Sequence, residues 1–137
     1  DGYIQNGGQK IEMYQRLAVL TSLSELDDLE KELVDRYGRP TQPVATLLQA
    51  ARLRLRARDQ GLALIAQKRE SLELRWQSMK DMPPLVNLPP ALRRRFHMVP
   101  GTPLMMRVSL AGTTEILPFL DQLLTAFQQL RKGSSLG

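Results

Sequence analysis

Two carboxylates, Glu32 and Asp35, stand in ELVDRYG, where a helical pattern runs out. A helix is electrically negative at its C-terminus, so acidic side chains are least welcome there. Two explanations are open. Arg36 and Arg39 lie close enough in sequence to compensate locally, or the carboxylates serve a basic partner outside this chain. Two arginine runs raise the reverse question. On a helix, Arg52 and Arg56 fall on one flank of an apolar stripe and Arg54 and Arg58 on the other, so four cations do not make one basic face. Arg93, Arg94 and Arg95 form a second cluster. Both clusters read either as solvated flanks with local ion pairs or as contacts to nucleic acid or an acidic partner. No aromatic residues are interleaved with them, so a stacking platform for single strands is not expected. Groups for catalysis are scarce. His97 is the one histidine of 137 residues, and no nucleophile or carboxylate partner for a base is recognisable beside it. Gly7-Gly8 follows no apolar strand and reads as a flexible turn rather than a phosphate cradle.

Composition bounds the rest. The apolar share of 42% and charged share of 24% suit a globular chain of about one domain. A net charge of +5 attracts nucleic acid weakly without showing that the chain binds it. The absence of cysteine excludes disulfides and thiolate metal sites and fits a cytoplasmic home. No apolar run approaches the roughly 18 residues that span a bilayer, and DGYIQNGGQK has no signal-peptide core. A chain without an initiator Met is expected to be a fragment of a longer protein.

The elements that must hold these groups follow from periodicity. Residues 1–8 read as a lead-in whose Tyr3 and Ile4 can dock on the body. Helical spacing over residues 9–20 points Ile11, Tyr14, Leu17 and Ala18 inward. Ser22-Leu-Ser-Glu25 is a capping box opening a second helix, with Leu26, Leu29, Leu33 and Tyr37 on one face. Glu25, Asp28, Glu32 and Asp35 then share a stripe roughly 120° away. Gly38 is read as its left-handed C-cap, and Pro43 opens a third helix. That helix carries Val44, Leu47, Leu48, Ala51 and Leu55 inward and ends at Gly61. Period-two alternation over residues 72–76 (Leu72, Leu74 and Trp76 inward) predicts a strand, paired with residues 62–66 across a Lys-Arg-Glu turn. ALRRRF reads as a short helix. A second alternating run has Leu104, Met106, Val108 and Leu110 on one side, and a last helix covers residues 116–132. The class is α+β: a three-helix unit, then a small antiparallel sheet with a short helix and a C-terminal helix packed on it. The domain plan is a lead-in at 1–8, one domain over 9–132 and a frayed tail at 133–137.

The pattern YI…KIEMYQRLA…SELDDLEKELVDRYG…P…LL…ARLR…A…G resembles the C-terminal domain of the bacterial transcription-repair coupling factor, with DRYG as its most specific part and residues 3–65 as its extent. The resemblance implies a non-catalytic module of a large ATP-driven DNA translocase that displaces stalled RNA polymerase and recruits UvrA. ATP and magnesium would belong to the motor elsewhere in that parent, and this domain would need no cofactor. It implies docking on a UvrB-like N-terminal module, which masks the UvrA surface and restrains the motor; polymerase and DNA would be reached through the parent. Glu32 and Asp35 match the family's docking carboxylates, so on this reading their counter-charges lie on another domain. The alternative class is a nucleic-acid-binding module using the arginines.

Overall fold

The computed structural model describes residues 2–136. Two compact units divide the chain, Asp1–Arg56 and Ala57–Gly137. The first is built from three helices: α1 (Gly7–Ala18), α2 (Leu23–Tyr37) and most of α3 (Gln42–Asp59). Helix α2 folds as its sequence asks. The Glu25 amide donates to the Ser22 hydroxyl at 3.1 Å. The Glu25 carboxylate in turn accepts from the Thr21 amide at 3.0 Å and the Thr21 hydroxyl at 2.7 Å, one residue before the expected partner. Leu26, Leu29 and Leu33 are buried together with Val44, Leu48, Ala51 and Leu55 of α3, as the apolar stripes predict. Leu47 is the exception on α3, at 38% exposure.

Helix α1 departs from expectation twice. Gly7 and Gly8 are not a turn but its first two residues, because the Asn6 side chain caps the helix by accepting from the Gln9 amide at 2.9 Å. Its buried face is Met13 and Leu17, not the predicted set, of which only Leu17 goes inside. The lead-in is docked: Ile4 belongs to the core, and the Tyr3 hydroxyl lies 2.6 Å from the Gly38 carbonyl and 3.0 Å from that of Leu33. Burial first, then the neighbouring Tyr37, hold the Tyr3 phenol above its ordinary 10.0, so it stays a donor.

The second unit is a four-stranded antiparallel sheet in the order β1-β2-β4-β3. Strands β1 (Leu62–Lys68) and β2 (Ser71–Trp76) form the predicted hairpin. Strand β4 (Met105–Ser109) pairs Val108 with Leu72 and Met106 with Leu74. The predicted ALRRRF helix is shorter, α4 (Pro90–Arg93), and the chain then enters a strand that the sequence reading lacks, β3 (Phe96–Met98). Three residues are too few to display a period. Helix α5 (Ile116–Leu136) covers one sheet face, where Phe127 meets Trp76 edge-on at 5.7 Å and Phe96 at 6.0 Å. It continues through four residues assigned to the tail; Gly137 lies outside the described residues.

Gly38 ends α2 with φ 82° and ψ −165°. This is not the left-handed cap the sequence suggests but a region open essentially to glycine alone. A Cβ there would meet nothing within 4 Å, so any cost is backbone strain. Gly38→Ala is expected to destabilise the chain by about 1–3 kcal/mol. Gly38→Asn should be no better, since asparagine tolerates the left-handed helical region but not this one. Thermal melting of both variants checks this, and recovery by asparagine alone would mean a left-handed cap instead.

Candidate docking surface

The two singled-out carboxylates end up in different surroundings. Glu32 faces α1: Arg16 donates from Nη1 to its Oε2, and Arg36 Nη1 stands 3.9 Å from the same oxygen. Its counter-charge is therefore within the chain, sixteen residues upstream, on a helix whose face the sequence reading misassigned. The hydrogen bond from Arg16, helped by the charges of Arg16 and Arg36, lowers the Glu32 pKa against a smaller desolvation cost. Glu25 is also lowered, chiefly by its bonds from Thr21.

Asp35 sits in the last turn of α2, exposed, and among the described residues it has no ion-pair partner. Lys31 lies one turn back but does not pair with it, an order of charges that is the weaker one on a helix. Asp35 lines a shallow depression with Asp27, Glu30, Lys31 and Val34. Asp27 and Glu30 share one cation, the guanidinium of Arg52, at 2.9 and 3.1 Å. Asp35 shares in no such pair, and beside it Val34 is left 46% exposed.

The arginine clusters are largely spoken for. Arg54 donates to the Leu17 carbonyl at 3.0 Å and lies 3.4 Å from that of Leu20, closing the end of α1. Arg56 is half-buried and not free. Arg93 donates to the Val86 carbonyl at 3.1 Å. Arg95 donates to the Ser109 carbonyl at 2.9 Å and the Thr113 hydroxyl at 3.2 Å, and its guanidinium lies 5.0 Å from the centre of the Phe119 ring. Arg58 and Arg94 are exposed. His97 is exposed on β3, in register with Arg107 of β4, which itself pairs with Glu73 at 3.3 Å. Among the described residues no group of three or more His, Cys, Asp or Glu is placed to hold a metal, and no helix is long and apolar enough to cross a membrane.

This architecture is that of a known repair-protein module. A crystal structure of the C-terminal domain of a transcription-repair coupling factor superposes with a TM-score of 0.69 over 96% of this chain and 84% of that one, at 20% identity, so the fold is shared. A model of the TRCF domain matches residues 1–85, and the chain belongs to that family. It is 35% identical over 72 residues to the transcription-repair-coupling factor of Bacillus subtilis, covering 53% of this chain and 6% of the relative. The Escherichia coli protein of the same name is 36% identical over 62 residues, 45% of this chain and 5% of the relative. The chain thus spans about one-twentieth of the length of these relatives, and the fold likeness extends well past the residues the family model matches.

The charge geometry has a pH signature. Glu32 and Glu25 have folded pKa values below the ordinary 4.5. Their contribution is fully present above that value and is lost as pH falls through their depressed folded values. Melting temperature is expected to drop between about pH 7 and about pH 3, and to drop less in Glu25→Gln/Glu32→Gln. Equal acid limbs in the two proteins would show that neither carboxylate is linked to folding.

Proposed function

We propose that this chain is the non-catalytic C-terminal regulatory module of a transcription-repair coupling factor, an ATP-driven DNA translocase that displaces stalled RNA polymerase and recruits UvrA. In this reading it docks on the UvrB-like N-terminal module of its parent, covers the UvrA-binding surface and restrains the motor. The observation that carries it is Asp35: an exposed carboxylate without an ion-pair partner among the described residues, at the unfavourable end of α2, matching a docking position of the family. A charge that costs stability at home is explained by a cation on the partner. Glu32 supports the docking differently. Arg16 fixes its carboxylate, and a partner cation would have to share or replace Arg16. The nucleic-acid reading is the weaker one, since Arg52, Arg54, Arg93 and Arg95 are all engaged within the chain.

This separates two variants that otherwise look equivalent. Glu32→Lys sets a third cation against Arg16 and Arg36, so it alters contacts within the first unit as well as any at the interface. Asp35→Lys leaves those contacts alone, and removes a repulsion with the helix dipole. In the full-length parent, Asp35→Lys is expected to open the closed state, since like charges across an interface can cost several kcal/mol and about 1.4 kcal/mol already shifts an equilibrium tenfold. UvrA capture and basal ATPase should both rise, with circular dichroism unchanged. A folded Asp35→Lys parent that captures no more UvrA and turns over no more ATP would remove this carboxylate from the docking contact.

A further inference from the structure

The sheet of the second unit has two edges, and they are built differently. Strand β3, at one end of the order β1-β2-β4-β3, has three residues. So short an edge offers little for another strand to pair with. Strand β1, at the other end, has seven, in the order LALIAQK. It contains no proline, and its one charge is Lys68 at the far end. A bulge disturbs the register between Leu62 and Leu64, but residues 64–68 pair regularly with β2.

The hairpin fixes which backbone groups β1 leaves over. Lys68 and Ser71 face each other across two turn residues, so they exchange both of their N–H···O=C bonds. Bonding then alternates along the strand. Ala66 bonds with Glu73 and Leu64 with Arg75, while Ile65 and Gln67 turn N–H and C=O away from β2. Among the described residues no hydrogen bond reaches those four groups. Nor does the rest of the chain cover the strand: Ala63, Leu64, Gln67 and Lys68 are all exposed, Leu64 at 38%. Unpaired groups along an open edge are a template for a further strand.

The sequence of β1 decides whose strand that is. Between Leu62 and Gln67 it has no charged or aromatic side chain with which to select a foreign sequence. It is complementary to itself. With a second copy antiparallel and Ala66 on the two-fold axis, Ile65 faces the partner's Gln67 and Gln67 faces the partner's Ile65. All four free groups are then bonded in each copy. Lys68 falls opposite the partner's Leu64, so no like charges meet across the strands. An axis through Ile65 would instead call on Ala63, which has no partner in the ladder even with β2. The charge of +5 on each copy opposes association, but charges beyond about 8 Å are largely screened at physiological ionic strength. The contact is small. Five residues of edge make a strip about 17 Å long, well short of the roughly 800 Å² per partner of a stable interface. The pairing is therefore weak and concentration-dependent, and trapping it is the way to see it.

We infer that β1 is a self-association edge: two copies of this chain pair their β1 strands antiparallel about Ala66, joining two four-stranded sheets into one. The inference does not rest on the regulatory reading above and uses no residue of that docking surface.

The chain has no cysteine, so a single introduced thiol reports on its own neighbour. In Ala66→Cys the two thiols would stand in a non-hydrogen-bonded pair with Cα atoms about 4.5 Å apart, which a disulfide spans. In Leu64→Cys, exposed on the same face of the sheet, they would be four residues out of step, about 13 Å apart. At high protein concentration, oxidised glutathione is expected to give disulfide dimers of Ala66→Cys at least about tenfold faster than of Leu64→Cys. Adding Gln67→Pro removes one outward N–H and no bond to β2. It should bring the Ala66→Cys rate down to that of Leu64→Cys, with circular dichroism unchanged. Equal rates for the two cysteine positions would mean random collision and would overturn the inference. So would slow hydrogen exchange at the Ile65 and Gln67 amides of the full-length parent at concentrations where Ala66→Cys gives no dimer, since a strand of the parent would then hold the edge.

Discussion

Helix C-termini govern this structure. Each leaves carbonyl oxygens without partners in the helix, and a buried or half-buried carbonyl must be answered from elsewhere. The chain answers three of them with side chains distant in sequence. Arg54 of α3 closes the end of α1. Tyr3 of the lead-in closes the end of α2, through the Leu33 and Gly38 carbonyls. In the second unit, Arg131 of α5 donates to the Gln60 and Asp81 carbonyls just past α3, and Gln60 donates in return to the Leu124 carbonyl at 3.0 Å. These contacts are why the lead-in is ordered and why the arginine run is not a free basic patch. A cation placed on a helix C-terminus gains from the dipole as well as from the hydrogen bond, so Arg54 is better used there than in solvent.

The turns that follow those ends are equally constrained. Gly61, after α3, has φ +84°, and a Cβ on it would stand 2.4 Å from the Asp81 side chain. Here both conformation and space require glycine, whereas at Gly38 only conformation does. Gly61 also accepts from the Gln77 amide at 2.8 Å. The helix end, the start of β1 and the segment after β2 are thus fixed at one point, and Arg131 is bonded to the same segment.

How much of this was legible in the sequence depends on the range of the interaction. The capping box, the α2 core face, the hairpin and the α+β order are local or periodic, and the structure keeps them. What failed was decided by tertiary partners. Helix α1 has two apolar stripes, Ile11/Tyr14/Ala18 and Met13/Leu17, and periodicity alone cannot say which one the remaining helices cover. Gly7-Gly8 looked like a breaker because glycine propensity is poor; the Asn6 cap and the docked Tyr3 and Ile4 override it. Strand β3 exists because β4 offers it an edge, not because three residues announce a strand. The Arg16–Glu32 pair links residues on different helices, and the single signal for it was the helix-end misfit of Glu32, which was legible while its remedy was not.

That pair bears on how a docking contact here could also release. Both side chains of Arg16 and Glu32 remain 40% exposed, and exposed ion pairs contribute little net stability because water and salt screen them. A cation brought to Glu32 by a partner would therefore displace Arg16 at small cost, and would be displaced again as easily. Asp35 differs: it has nothing to surrender, so a partner cation gains there without breaking an existing contact. On the proposed docking, a surface made of one exchangeable and one open carboxylate would give register and specificity more than affinity. That is the behaviour an interface within a chain needs if it is to stay modest, polar and able to open.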